Sequence, residues 1–144
     1  MSQAILLDTS LYMALFRHPG TIDVERAISG GELWLSAVVL EELYAGADRH
    51  QLRMIEILER GFAANARLLV PTLEDWKQTG LVLSRLALTY GYEEIRRGRL
   101  TNDALMAVSA GRCGASLRTL NRKDFALLAE FWQFDWQLVS LSAS

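Results

Sequence analysis

Short apolar runs alternate with longer helix-like stretches along the whole 144-residue chain. No other feature constrains the fold as much. Ala4-Ile5-Leu6-Leu7 is too brief for a helix and reads as a buried strand. Leu33-Trp34-Leu35, Arg67-Leu68-Leu69-Val70 and the runs 115–120 and 136–141 read the same way. Between them lie helix signals. Ser10 is placed to cap a short helix over 11–16, and Thr21 or Asp23 a second over 24–28. Ser36 heads a helix over 37–46, and a further helix covers 49–60 with Gly61 as its stop. Thr72 with Asp75 forms a capping box that opens a long helix to about Tyr90, stopped by Gly91. Thr101 is placed to cap a helix over 102–112 closed by Gly114, and a last helix falls within 121–132. The alternation predicts one α/β domain over residues 1–144 with a mainly parallel sheet.

In such a sheet, ligands gather beyond the carboxyl ends of the strands. The first strand ends in Asp8, followed by Thr9 and Ser10. Other acids stand beside apolar residues at comparable places: Glu42 in the helix after the second strand, Asp103 in the first turn of the 102–112 helix, and Asp124 after the fourth strand. Each also has a local role open to it. Asp8 can cap a turn, Glu41 or Glu42 can be a solvated helix charge, and Asp103 and Asp124 can complement helix N-termini. Carboxylates brought together repel and raise each other's pKa. A hard divalent cation relieves that repulsion, and oxygen ligands suit Mg²⁺ or Mn²⁺. Zinc is disfavoured, because His18 and His50 are isolated and Cys113 is single.

A formal net charge of −2 argues against a basic nucleic-acid coat but not against nucleic acid at a cation-filled acidic site. The single cysteine, expected to be buried and inert, excludes an intrachain disulfide and suits a reducing compartment. No signal-peptide pattern is seen, and no apolar run approaches the ~20 residues that span a membrane. A cytoplasmic protein is the expectation. Trp34, Trp76, Trp132 and Trp136 are expected as core or interface residues.

Four segments, in order, resemble the PIN domain family, and more narrowly its VapC-type toxin ribonucleases. They are Leu6-Leu7-Asp8-Thr9-Ser10; Ser36 with Glu42-Leu43-Tyr44-Ala45-Gly46; Thr101-Asn102-Asp103-Ala104-Leu105-Met106-Ala107; and Leu117-Arg118-Thr119-Leu120-Asn121-Arg122-Lys123-Asp124-Phe125. The resemblance implies a three-layer α/β/α sandwich and a Mg²⁺- or Mn²⁺-dependent endoribonuclease. It maps the family's acids onto Asp8, Glu42 and Asp103, and it selects Glu42 over Glu41. Where many members carry an acid after the last-motif threonine, this chain has Asn121; Asp124, in an Asp-Phe pair, is the nearest acid and ranks fourth. Thr9 and Ser10 match a polar pair that helps position the metal or its waters. An RNA substrate needs cationic contacts. Arg96-Arg97-Gly98-Arg99 is the best candidate, with Arg118, Arg122 and Lys123 behind it. The resemblance also implies a cognate antitoxin. Faces such as Leu52/Ile55/Leu58 and Leu11/Leu15 are candidates for its groove or for a homodimer interface.

The alternative is a catalytically weak PIN-like binding module, which would not need all three acids. A phosphoacceptor domain would want an acidic neighbour beside Asp8, and a haloacid-dehalogenase-like phosphatase an aspartate where Ser10 stands.

Overall fold

The first strand, β1 (Gln3–Leu7), lies at the centre of a five-stranded sheet. A computed structural model describes residues 2–93 and 100–140; the candidate RNA-contact run 96–99 lies outside the described residues. The other strands are β2 (Gly31–Ser36), β3 (Leu68–Leu69), β4 (Ser116–Thr119) and β5 (Asp135–Leu138), in the spatial order β3-β2-β1-β4-β5. Every pairing is parallel, with Leu6 level with Trp34 on one side and with Leu117 on the other. In β1, Ile5 and Leu6 point to opposite faces and both are fully buried. A central strand covered on both faces fits the α/β/α sandwich.

The helices are α1 (Thr9–Arg17), α2 (Val24–Ala27), α3 (Ala37–Ala45), α4 (Arg49–Ala64), α5 (Leu73–Tyr90), α6 (Leu100–Cys113) and α7 (Arg122–Leu128). The chain runs outward from β1 to β2 and β3, then crosses back to β4 and runs outward the other way to β5. The order therefore reverses between β1 and β4, and a crevice forms there beyond the strand ends.

Several boundaries differ from the sequence expectation. Asp8, not Ser10, caps α1, accepting from the Leu11 amide at 3.3 Å. Helix α4 passes through Gly61 to Ala64, since one glycine costs only about 1 kcal/mol when flanking turns are sound. Helix α6 starts at Leu100, a core residue, so Thr101 lies inside the helix and is not its cap. Asp23 caps α2, Ser36 caps α3, and the Thr72–Asp75 capping box of α5 is present. Gly114, at φ +67, ends α6 and lets the chain turn at once into β4. Cys113 is exposed rather than buried, because it falls on the last residue of α6, past the core-facing stretch.

Candidate functional site

Four carboxylates from four distant segments meet at the reversal point. Asp8 arrives at the end of β1, Glu42 from the last turns of α3, Asp103 from the first turn of α6 and Asp124 from the first turn of α7. The charges of Asp8, Asp124 and Glu42 all bear on Asp103. Burial first, and then those three neighbouring charges, push the Asp103 pKa up to about 8.

Asp8 is almost fully buried, and burial raises its pKa as well. Hydrogen bonds oppose that effect. Its Oδ1 accepts from the Ser10 hydroxyl and the Leu11 amide, and its Oδ2 accepts from Thr119 Oγ1 at 2.6 Å. Thr119 is itself fully buried at the end of β4, next to β1 in the sheet. Its backbone neighbour pins Asp8 too: the Asp8 amide donates to the Arg118 carbonyl at 3.0 Å. Ser10 Oγ meanwhile accepts from the Leu120 amide at 3.2 Å, so both hydroxyls tie Asp8 to the β4–α7 turn.

Glu42 is oriented by Thr9, whose Oγ1 donates to Oε1 at 2.7 Å. Glu41 is exposed and accepts from Asn102 Nδ2 at 3.1 Å. The structure thus separates the two neighbouring glutamates: Glu42 faces the cluster and Glu41 its rim. Asp124 is held by Asn121, whose Nδ2 donates to Oδ2 at 2.9 Å.

An all-carboxylate, partly dehydrated cluster suits a hard divalent cation, which would relieve the repulsion among its charges. Among the described residues, no three of these side chains stand close enough to enclose an ion as they lie. Their hydrogen bonds account for this: Glu42 is drawn to Thr9, and both oxygens of Asp8 are engaged by hydroxyls. The donor chemistry fits, and small side-chain movements would be needed to use it.

Of the candidate cations, Arg118 is buried. Its Nη1 and Nη2 donate to the carbonyls of Ala27 and Ser29 at 2.8 and 3.1 Å, and its Nε donates to Ser116 Oγ at 3.0 Å. It ties β4 to the end of α2 and is not available to RNA. Arg122 and Lys123 are exposed on the first turn of α7. Trp34, Trp132 and Trp136 pack against the core, whereas Trp76 is exposed. Leu11 and Ile55 are buried in the core, which removes them from any docking face. Thr119 is the residue whose role the sequence did not single out. Its signal is a small polar residue ending an apolar strand, and that signal acquires meaning only when β4 is known to lie beside β1.

Residues 5–130 match the PIN domain family. The chain is 31% identical over 121 residues to Ribonuclease VapC1 of Rickettsia felis, a match covering 84% of this chain and 87% of that protein. Among solved structures it is similar to a chain of the DNA-bound VapBC of Salmonella typhimurium. There the TM-score is 0.63 at 20% identity, over 96% of this chain and 98% of that one. It is similar also to a chain of VapBC2 from Rickettsia felis bound to a promoter fragment, with a TM-score of 0.61 at 18% identity over 94% and 98%. At those identities the structural likeness speaks for the fold.

Proposed function

The chain belongs to the PIN domain family, and from that membership we propose that it is a metal-dependent endoribonuclease, the toxin of a toxin–antitoxin pair. The observation that carries the reading is the convergence of four acids from distant segments, with the charges of Asp8, Glu42 and Asp124 all bearing on the buried Asp103. The 31% identity to a protein named as a ribonuclease supports the same reading.

Asp8 and Asp103 are the proposed first ligands of Mg²⁺ or Mn²⁺, with Glu42 as a further ligand or an outer partner. A bound ion supplies a more acidic water and stabilises charge on phosphoryl oxygens. Thr119 and Ser10 hold the Asp8 carboxylate in place. Glu42, oriented by Thr9, or Asp124, oriented by Asn121, orients the attacking water and accepts its proton. Arg122 and Lys123, exposed beside Asp124, are the proposed phosphate contacts among the described residues.

The proposed protein partners are an antitoxin and a second copy of the chain. Exposed Leu73, Trp76, Leu81 and Leu88 on α5 form the kind of apolar surface that a partner covers. The proposed compartment is the cytoplasm, which suits an exposed free thiol at Cys113. No helix among the described residues is long and apolar enough to cross a membrane.

The test is incubation of the purified chain with structured RNAs and matched DNAs in Mg²⁺, in Mn²⁺ and in EDTA. RNA cleavage in either metal, abolished by EDTA, is expected. Cleavage that survives EDTA contradicts the metal role, and tight RNA binding without cleavage favours the binding-module reading.

A further inference from the structure

Asn121 touches the acid cluster twice, by two separate groups. Its backbone amide donates to Thr119 Oγ1 at 2.8 Å. A hydroxyl that accepts there must send its single proton elsewhere, and Asp8 Oδ2 receives it at 2.6 Å. Its side chain works on Asp124: Oδ1 accepts from the Asp124 amide at 3.3 Å, and Nδ2 donates to Asp124 Oδ2 at 2.9 Å. Only one orientation of the carboxamide satisfies both, since the amide needs an acceptor and the carboxylate a donor.

The two ends of that carboxamide have different purposes. Capping α7 needs an acceptor alone, and serine, threonine or aspartate would provide one. The Nδ2 donor adds nothing to the cap. What it does is fix the Asp124 carboxyl, whose charge bears on Asp103. We infer that Asn121 is a positioning residue of the acid cluster, setting Asp124 through its carboxamide, while its backbone amide, which serine or threonine would also supply, orients the Thr119 hydroxyl toward Asp8. This rests on the proposed metal-dependent function and adds a residue to it. It also gives Asp124 a defined place: the acid is drawn into the cluster by the neutral residue three positions before it.

Asn121→Ser and Asn121→Thr keep a capping oxygen and lose the carboxamide donor. Two variants guard against one that folds poorly. Each is made alone and with Asp124→Asn, and Mn²⁺ affinity is measured by calorimetry beside the thermal midpoint. Groups just outside the metal ligands typically govern affinity by about 10–100-fold, and Asp124, whose charge bears on the proposed ligand Asp103, is such a group. Here the expectation is a Mn²⁺ Kd raised about tenfold, the low end of that range, with the thermal midpoint nearly unchanged. With Asp124→Asn already present, either substitution should change the Kd by less than about twofold, because its target is gone. Wild-type affinity in both variants, or the same loss with and without Asp124→Asn, overturns the inference and leaves the proposed function standing. Failure of the wild-type chain to bind Mn²⁺ overturns both.

Discussion

Asp103 is the residue on which burial and like charge press together, and its behaviour can be measured without substrate. Its pKa in the fold, about 8, lies above its ordinary value of 3.8, so the folded chain holds a proton that the unfolded chain releases. Its contribution to stability is therefore greatest below about pH 4, falls as pH rises, and is lost by about pH 8. The metal-free chain should melt lower at pH 8 than at pH 5. Asp103→Asn, which removes the repulsion, should flatten that slope and raise the pH 8 midpoint by roughly 2–4 °C for each kcal/mol relieved. Mn²⁺ should raise the wild-type midpoint more at pH 8 than at pH 5, since protons compete for the same oxygens. Thermal scans across pH, with and without metal, check all three. The candidate acids were legible in the sequence because each stands beside apolar residues near the end of a strand or in a helix that follows one. Their contacts were not. Choosing Glu42 over Glu41 by physics requires the phase of α3 against Thr9 and Asn102, which lie 33 and 61 residues away in the paired contacts. Arg118 was misread as an RNA contact because in a strand covered on both faces even a charged position points inward, where carbonyls of the α2 end satisfy it.

At the scale of elements, the contact that fixes α6 against α5 also fixes where Asp103 stands. Asp75, in the α5 capping box, is 1% exposed, and both its oxygens accept from Arg112 Nε at 2.8 and 2.9 Å. Burial pushes the Asp75 pKa up, but the Arg112 hydrogen bond, those from Thr72 and the Arg112 charge outweigh it and leave the pKa lowered. Arg112→Ala would leave a buried carboxylate unpaired. Since the arginine itself is partly exposed, the expected cost is about 2 kcal/mol, less than the ~3–5 of a fully buried pair. Urea denaturation measures it, and an unchanged midpoint would show the pair to be idle. The sequence revealed the capping half of Asp75, because Thr72 and Asp75 are three apart, and not the pairing half, because Arg112 is 37 residues away. Helix ends were displaced for similar reasons: Leu100, buried in the core, already lies in α6.

At the level of the whole molecule, the strand order puts Asp8 at the crevice, and the helices that follow the strands bring Glu42, Asp103 and Asp124 to it. Asp8 and Thr119 end the two strands between which the order reverses, so the crevice belongs to the topology and the chemistry to the side chains. Alternating apolar runs made the α/β class legible. The order β3-β2-β1-β4-β5 was not, since pairing is decided by crossovers that no local pattern encodes. The exposed face of α5 was missed as well, because Leu73 and Leu88 look like core residues until the helix is placed. If that face holds the proposed second copy, Leu73→Lys with Leu88→Lys should turn a dimer into a monomer in sedimentation, while a wild-type chain that is already monomeric contradicts it. Asp8 and its partners are the residues proposed to carry metal-dependent RNA cleavage. The sharpest test is the initial rate of RNA cleavage in Mn²⁺ by the wild type and by Asp8→Asn, with folding checked by circular dichroism. A loss of roughly 100-fold or more is expected in a folded variant; equal rates would overturn the proposed site.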